Sequence, residues 1–287
     1  MWILSSRTSR ARRGSGYAVA EAVVAAVLWG SIGVVYRLGV GAGCSGAWLV
    51  AGRPLAASLL SLYLAIRGSR PSVWSVAVGM LGLAPLYAAY FLAVERLGAG
   101  LASILLYTAP VWVTLLSPVI GERVTPAGWL AAVAGFLGVS MLAWPSGGGL
   151  DVVGLLLGLA SGASYAAYIL LARLGQKRGA GVKEVSVHAF PFAAAAVLAA
   201  ERPRGAPSPL DVAYMTYLAV AGTIVPYVLN ARALSRLDAH RVAVISLVEP
   251  LTATLLAYAV LGEKLTLLQT MGAVLVLVSS LLAARSR

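Results

Sequence analysis

Long apolar runs separated by short polar connections dominate this sequence. An α-helix that crosses a bilayer needs about 20 consecutive, mostly apolar residues, because the hydrocarbon core is about 30 Å thick. Ten runs come close to this length, so the pattern predicts an all-α integral membrane protein with ten transmembrane helices. The predicted helices cover residues 17–37, 46–66, 73–95, 99–119, 127–144, 152–173, 184–200, 211–234, 239–260 and 266–284.

The composition excludes a water-soluble fold. Of the 287 residues, 60% are hydrophobic and 11% are charged, whereas soluble domains average about 45–50% apolar and about 25% charged residues. A soluble fold could not bury that much apolar surface. The basic segment 1–16 is similar to the start of a signal peptide, but no small-residue cleavage site follows it. We therefore expect a basic cytoplasmic tail and a retained first helix.

Basic residues are distributed unevenly between the two ends of the predicted helices. The net charge is +12, and in a soluble chain such a value would suggest nucleic-acid binding. Here the arginines and lysines lie in short connections at the membrane surface, so the lipid bilayer is the expected partner and nucleic acid is not. One side carries 15 of them and the other carries four. The positive-inside rule then predicts a multi-pass plasma-membrane protein with both termini cytoplasmic.

Residues typical of catalysis or metal binding are scarce. Cys44 is the single cysteine, and His188 and His240 are the two histidines. A zinc site needs three or four convergent ligands, so we expect no metal and no cofactor. The sequence also lacks a G-x-S-x-G motif and a phosphate-binding P-loop motif. These features argue against an enzyme and against ATP binding by this chain.

The two halves of the sequence are similar to each other. Residues 93–119 align with residues 233–259 at an offset of 140 residues. Each half then contains five helices, an odd number, so the second copy must enter the membrane in the opposite orientation. Inverted repeats of this kind build many secondary transporters, with the substrate site between the repeats. The matched pairs include Arg96/Arg236, Ala99/Ala239, Pro110/Pro250 and, after a one-residue gap, Glu122/Glu263, and Arg37 matches Arg173 at an offset of 136.

Several motifs together resemble one known family. They are Trp29-Gly30-Ser31, Arg53, and the two units AGLASILLYTAPVWVTLLSPVIGERVT and AHRVAVISLVEPLTATLLAYAVLGEKLT. The chain resembles the EamA family of the drug/metabolite transporter superfamily over residues 20–286. This resemblance implies two five-helix EamA-type repeats, a central cavity, and export or uptake of small metabolites by alternating access. The expected domains are the basic tail (1–16), a first repeat (17–144) and an inverted second repeat (145–287).

Polar and aromatic residues recur at helical spacing on several predicted helices. Residues at i, i+3, i+4 and i+7 share one helix face, so these stripes are candidates to line a cavity for a small amphipathic or cationic ligand. The alternative is that the rings fill gaps between helices or hydrogen-bond across them. The candidate cavity residues are Trp29, Tyr87, Tyr90, Tyr107, Tyr165, Tyr168, Thr223, Tyr227, Asn230, Ser246 and Glu249.

Glu249 is the one acidic residue near the middle of a predicted helix. A charge at that depth costs at least about 2.5–3.5 kcal/mol. Pro250 follows it, and a proline inside a helix removes an amide donor and frees a carbonyl one turn back, near Ser246. Two interpretations stay open: a substrate or proton site, or a neutral carboxyl group bonded to a neighbouring helix. The repeat partner of Glu249 is Ala109, so this acid breaks the symmetry.

Other polar residues have both a functional and a structural interpretation. Arg53 is either a residue that binds an anion or carboxylate or an arginine that braces helices. In the first case it could also take part in ion coupling. His188 is either a proton relay or a packed, hydrogen-bonded histidine. Four residues are expected to be structural, with each glutamate bonding the N-terminus of the next helix: Pro110, Pro250, Glu122 and Glu263.

A small-residue ridge lies in the sixth predicted helix, at Gly154, Gly158 and Gly162. Such ridges allow close helix contact. We expect the ridge to pack within the chain, with a homodimer interface as the alternative.

The leading interpretation is a secondary transporter, not an enzyme, for a small-molecule substrate such as an amino acid or an organic cation. The alternatives are an integral membrane enzyme and a channel-like or scaffold membrane protein. Broken helices in an inverted repeat suit alternation better than a static pore.

Overall fold

The computed structural model describes residues 2–143, 151–200, 203–262 and 266–285, with side chains from Ser15 onwards. Within these ranges all regular secondary structure is helical, as the apolar pattern predicts. The α-helices are α1 (Trp2–Gly30), α2 (Ile32–Gly41), α3 (Gly46–Ile66), α4 (Val73–Ala77), α5 (Ala84–Leu106), α6 (Ala109–Leu116), α7 (Pro126–Leu142), α8 (Val152–Lys177), α9 (Val182–Val185), α10 (Phe190–Ala200), α11 (Pro209–Ala219), α12 (Val225–Leu234), α13 (Ala239–Ile245), α14 (Val248–Leu261) and α15 (Leu267–Arg285).

Eight helical stretches among the described residues are long and apolar enough to span a membrane. They are Ser15–Gly41, Gly46–Ile66, Val73–Ile120, Val152–Lys177, Val182–Ala200, Pro209–Leu234, Ala239–Leu261 and Leu267–Arg285. The third contains both predicted helices 73–95 and 99–119, while the predicted helix 127–144 corresponds to α7, which has 17 residues. The protein is therefore a multi-pass membrane protein, and the count of ten crossings stays a prediction.

Gly98 interrupts the 48-residue stretch Val73–Ile120. At 1.5 Å per residue a continuous helix of that length would extend about 70 Å, roughly twice the thickness of the hydrocarbon core. Gly98 has φ 75° and ψ 161°, a conformation that only glycine adopts without strain. The chain direction can change at this residue.

Two π-helical turns occur at matching places in the two halves. One covers Val78–Leu83 and precedes Pro85, and the other covers Val220–Ile224 and precedes Pro226. Proline lacks an amide donor and clashes with the preceding turn, so a wider turn accommodates it. The sequence pattern predicts continuous helices here.

Pro110 and Pro250 also follow breaks in their helices. α5 ends at Leu106 and α6 begins at Ala109, while α13 ends at Ile245 and α14 begins at Val248. The carbonyl of Ser246 is not left without a partner, because the Glu249 backbone N–H donates to it at 2.9 Å. The break takes the form of a tighter turn.

Helices of one half pack against helices of the other half. α1 packs against α12, and α8 packs against α5, so the first helix of each half contacts the third helix of the other half. α3 packs against α10, and α7 against α15, so the second helices contact each other and the fifth helices do the same. Two similar halves related by an axis between them would produce this pattern.

The glycine ridge of α8 faces α5 and α6 within the chain. A β-carbon added at Gly162 would lie 2.5 Å from the Leu105 carbonyl oxygen and would meet the Thr108 hydroxyl group. The ridge therefore permits close intramolecular helix contact. At the start of α8, the Gly154 backbone N–H and the Arg96 guanidinium group both donate to Asp151, and both lower the pKa of that carboxyl group.

Candidate functional site

A cavity of 720 Å³ lies between the two halves. Small-molecule sites typically have about 300–1,000 Å³. The cavity extends from the exposed helix ends around Arg37, Ala99 and Ala200 to the middle of α8 at Tyr165. The polar and aromatic side chains on its wall are Trp29, Tyr36, Arg37, Arg53, Tyr87, Tyr90, Phe91, Ser103, Tyr107, Tyr165, Tyr227, Glu249, Thr254 and Gln269.

Glu249 lies in the first turn of α14, directly after the break in the chain. Its carboxyl group lies close to the Tyr107 hydroxyl group. A helix N-terminus favours a negative charge because its free N–H groups point toward it. The backbone of α1 approaches closely, since a β-carbon at Gly30 would lie 2.6 Å from the Glu249 carbonyl oxygen. The Trp-Gly-Ser motif thus brings α1 against the acidic residue.

Arg53 extends from α3 to the π turn of the second half. Its Nε donates to the Thr223 hydroxyl group at 3.1 Å, and its Nη2 donates to the Gly222 carbonyl oxygen at 3.3 Å. The Thr223 hydroxyl group in turn donates to the Leu218 carbonyl, five residues earlier, as a π turn permits. Arg53 also lies 6.0 Å from the centre of the Tyr87 ring. The guanidinium group is fixed on the cavity wall.

Tyr227 is the centre of an aromatic cluster and is only 5% exposed. It makes edge-on contacts with Trp29 at 5.0 Å, Phe190 at 4.9 Å and Tyr168 at 5.3 Å between ring centres. Its hydroxyl group lies close to that of Tyr87, which is more exposed to the cavity. Tyr227 therefore supports the wall more than it presents a free ring face.

A family model matches this chain twice, over residues 16–144 and residues 152–285, and its description is "EamA-like transporter family". The chain belongs to the EamA-like transporter family. This confirms the resemblance inferred from the motifs and assigns the chain to a family of membrane transporters.

Two relatives of this EamA chain are described as uncharacterized transporters. The relative from Archaeoglobus fulgidus is 29% identical over 277 residues, which cover 94% of this chain and 97% of the relative. The relative YwfM from Bacillus subtilis is 29% identical over 265 residues, which cover 85% of this chain and 86% of the relative. A solved crystal structure superimposes with a TM-score of 0.77 at 21% identity, covering 93% of this chain and 96% of its own, and supports the fold.

Eight of the residues predicted for the site of this EamA chain lie on the cavity wall. They are Trp29, Arg53, Tyr87, Tyr90, Tyr107, Tyr165, Tyr227 and Glu249. Four others lie behind the wall: Tyr168, Thr223, Asn230 and Ser246. Tyr168 donates to the Asn230 side-chain oxygen at 3.1 Å, and both residues are fully buried. Ser246 is 1% exposed, and its hydroxyl group donates to the Val242 carbonyl at 2.9 Å and lies close to Tyr165.

His188 lies away from the cavity, between α3 and the start of α10. The Ser61 hydroxyl group is 2.9 Å from its Nδ1, and the Ser69 hydroxyl group is 3.1 Å from its Nε2. The ring is 1% exposed. This arrangement is that of a packed, hydrogen-bonded histidine.

The sequence patterns do not identify five polar residues of the wall, which are Tyr36, Arg37, Ser103, Thr254 and Gln269. Arg37 carried one signal, because its Arg-Leu-Gly segment is repeated at Arg173. Tyr36 resembles an interfacial tyrosine by position. Ser103 and Gln269 carry no pattern that separates them from other polar residues at helix ends. Among the described residues, no group of His, Cys, Asp and Glu could hold a metal ion.

Glu122 bonds a different helix from the one expected. Its carboxylate accepts from the Ala239 backbone N–H at the start of α13, whereas Thr125 caps α7, the next helix in the chain. Gly121, with φ 74°, ends the preceding 3₁₀ turn and so redirects the chain. Its repeat partner Glu263 lies outside the described residues.

Proposed function

We propose that this chain is a secondary transporter that moves a small metabolite, an amino acid or an organic cation, across the plasma membrane by alternating access. The observation that carries the proposal is the 720 Å³ cavity inside an EamA-type chain, with Glu249 and Arg53 on its wall. The description of both relatives as transporters agrees with it.

The cavity wall suits a ligand that carries a cationic group. Glu249 supplies a carboxyl group deep in the cavity, and the Tyr87 and Tyr90 rings lie on the same wall. A cation over an aromatic face gains about 0.5–1 kcal/mol at exposed sites and about 2 kcal/mol when desolvated. An amino acid would also direct its carboxylate to Arg53, whose planar guanidinium group matches carboxylate geometry. An organic cation would use only the acid and the rings.

The proposed topology has ten crossings in two inverted five-helix repeats, with both termini cytoplasmic. Its support is the interruption at Gly98, the packing of helices from one half against helices of the other, and the family model that matches each half separately. The excess of basic residues in the connections on one side supports the orientation. In this orientation the open end of the cavity faces outward.

The test begins with a thermal-shift screen of the purified protein against amino acids, organic cations, nucleosides and sugars. A ligand that binds the folded form raises its apparent stability. Compounds that shift the melting temperature are then tested in proteoliposomes for counterflow, in which unlabelled internal substrate drives uptake of labelled substrate.

Counterflow of an amino acid or an organic cation is the expected result. Flux without counterflow would indicate a channel, and chemical conversion of the ligand would indicate an enzyme. Either result would contradict the proposal. The Glu249→Gln variant tests the role of the acid, since it keeps the shape of the side chain but cannot ionise.

A further inference from the structure

An ionic cluster around the buried Glu122 carboxylate lies beyond the closed end of the cavity. The Glu122 carboxylate accepts from Arg173 Nε at 2.6 Å and from the Ala239 backbone N–H at 2.7 Å, and Lys177 Nζ lies 3.5 Å away. The Glu122 side chain is 3% exposed and that of Arg173 is 14% exposed. We call Glu122, Arg173, Lys177 and Asp238 the Glu122 cluster.

The cluster joins the ends of several helices. Arg173, on α8, also donates to the Leu234 carbonyl at the end of α12 at 2.7 Å and lies 3.5 Å from Asp238, which precedes α13. Lys177 donates to the Ile120 carbonyl, in the turn after α6, at 2.9 Å. The cluster therefore joins four elements, which are α8, the end of α12, the start of α13 and the turn after α6.

Buried residues separate the cluster from the cavity. Arg173 follows Tyr165 on α8 by eight residues, about 12 Å along a helix. Tyr168, three residues after Tyr165, is fully buried and bonds Asn230, while the buried Ser246, directly after α13, lies close to Tyr165. A substrate that leaves by this end must pass this layer and then the cluster.

The two ends of the molecule differ at equivalent positions of the repeat. Ala239 is fully buried and bonds Glu122, whereas its partner Ala99 is exposed and lines the cavity. The Arg173 side chain is 14% exposed, whereas its partner Arg37 is exposed and lines the cavity. Equivalent segments of the repeat are thus buried at the closed end of the cavity and exposed at its open end.

We propose that the Glu122 cluster is the cytoplasmic gate of the cavity, with Glu122 as the positioning residue that holds α8 against the start of α13. This inference rests on the proposed function. Removing one member of a buried ion pair leaves an uncompensated charge, so loss of one contact weakens the whole cluster. The gate opens when α8 separates from α13 and water reaches Glu122 and Arg173.

Cysteine accessibility tests this gate without any substrate. A Ser246→Cys reporter in a Cys44→Ala background lies between the cavity and the cluster. A membrane-impermeant maleimide is added to right-side-out and to inside-out vesicles, and the labelling rates are compared. We expect Glu122→Gln to label at least about tenfold faster from the cytoplasmic side, a shift of about 1.4 kcal/mol in the opening equilibrium.

Glu21→Gln is the matched control. Glu21 is also a partly buried carboxylate that holds two arginines, Arg232 at 2.9 Å and Arg236 at 3.1 Å, but it joins α1 and α12, which pack together. Unchanged labelling of Glu122→Gln, or equal acceleration by Glu21→Gln, would overturn the proposal. A chain that opens in this way but shows no counterflow would refute the transport function alone.

Arg173→Lys serves if Glu122→Gln does not fold. Lysine keeps the positive charge but cannot reach Glu122, Leu234 and Asp238 together, because it lacks the planar fork of arginine. We expect intermediate acceleration of labelling from the cytoplasmic side. A wild-type labelling rate in this variant would equally overturn the proposal.

Discussion

Replacing Tyr227 by alanine should destabilise the protein more than it alters a ligand contact. Its ring makes three edge-on contacts at 4.9–5.3 Å, and each such contact is worth about 0.5–1.5 kcal/mol. Lipid is as apolar as the protein interior, so we add no hydrophobic transfer term. The three contacts together give an expected loss of about 1.5–4.5 kcal/mol. Tyr227→Phe should lose at most about 0.5–1.5 kcal/mol, for the contact between its hydroxyl group and that of Tyr87.

Tyr87→Ala is the matched comparison, because Tyr87 lines the same cavity with a more exposed ring. Its stability loss should be smaller, since its described ring partner is Arg53 at 6.0 Å. Loss of a cation-binding ring should instead weaken ligand affinity about 2- to 30-fold. The free energy of unfolding is measured by SDS titration in mixed micelles, and affinity is measured by ligand-dependent thermal shift. The reasoning is refuted if Tyr227→Ala is as stable as Tyr87→Ala.

Three further predictions address the acid, the topology and the glycine ridge. Glu249→Gln should fold normally but lose uptake driven by a pH gradient or binding of cationic ligands in proteoliposomes; wild-type transport with unchanged pH dependence would make Glu249 structural. In a Cys44→Ala background, Ala206→Cys should react with an impermeant maleimide only from the outside, and labelling only from the cytoplasm would reverse the orientation. Gly162→Ala should cost about 1–3 kcal/mol of stability by overpacking, whereas Gly16→Ala, with nothing within 4 Å, should not; equal melting curves would contradict the packing.

Helix positions could be predicted from sequence because lipid enforces a simple rule. Backbone polar groups must be satisfied within each helix, so apolar runs and helices coincide. The predicted helix 46–66 has the observed bounds of α3, for example. The breaks before Pro110 and Pro250 could also be anticipated, because proline has a local effect on the helix.

The division between wall and interior could not be read from the same pattern. A helical stripe identifies a face, but Tyr165 and Tyr168 lie on nearly the same face of α8, and only the first reaches the cavity. The difference depends on Asn230, which is supplied by another helix. The π turn before Pro226 places Thr223 behind Arg53. The spacing of apolar residues does not predict this turn.

Glu122 shows how a short motif can be recognised while its partner is not. The Gly-Glu turn is visible twice in the sequence, and glycine with positive φ at the turn follows from local geometry. The partner that completes it, the first amide of α13, lies 117 residues away. Sequence reasoning chose the nearest helix N-terminus, because only local contacts can be inferred from spacing.

The two halves have equivalent helix breaks, but their charged residues differ. Pro110 and Pro250 follow equivalent breaks, yet Glu249 faces the cavity while its partner Ala109 is fully buried. A device that opens two ends in turn needs two equivalent gates, but a carrier needs one site that both gates can reach. Under the proposed function, a single acid near the middle of the Ala239–Leu261 stretch meets that requirement.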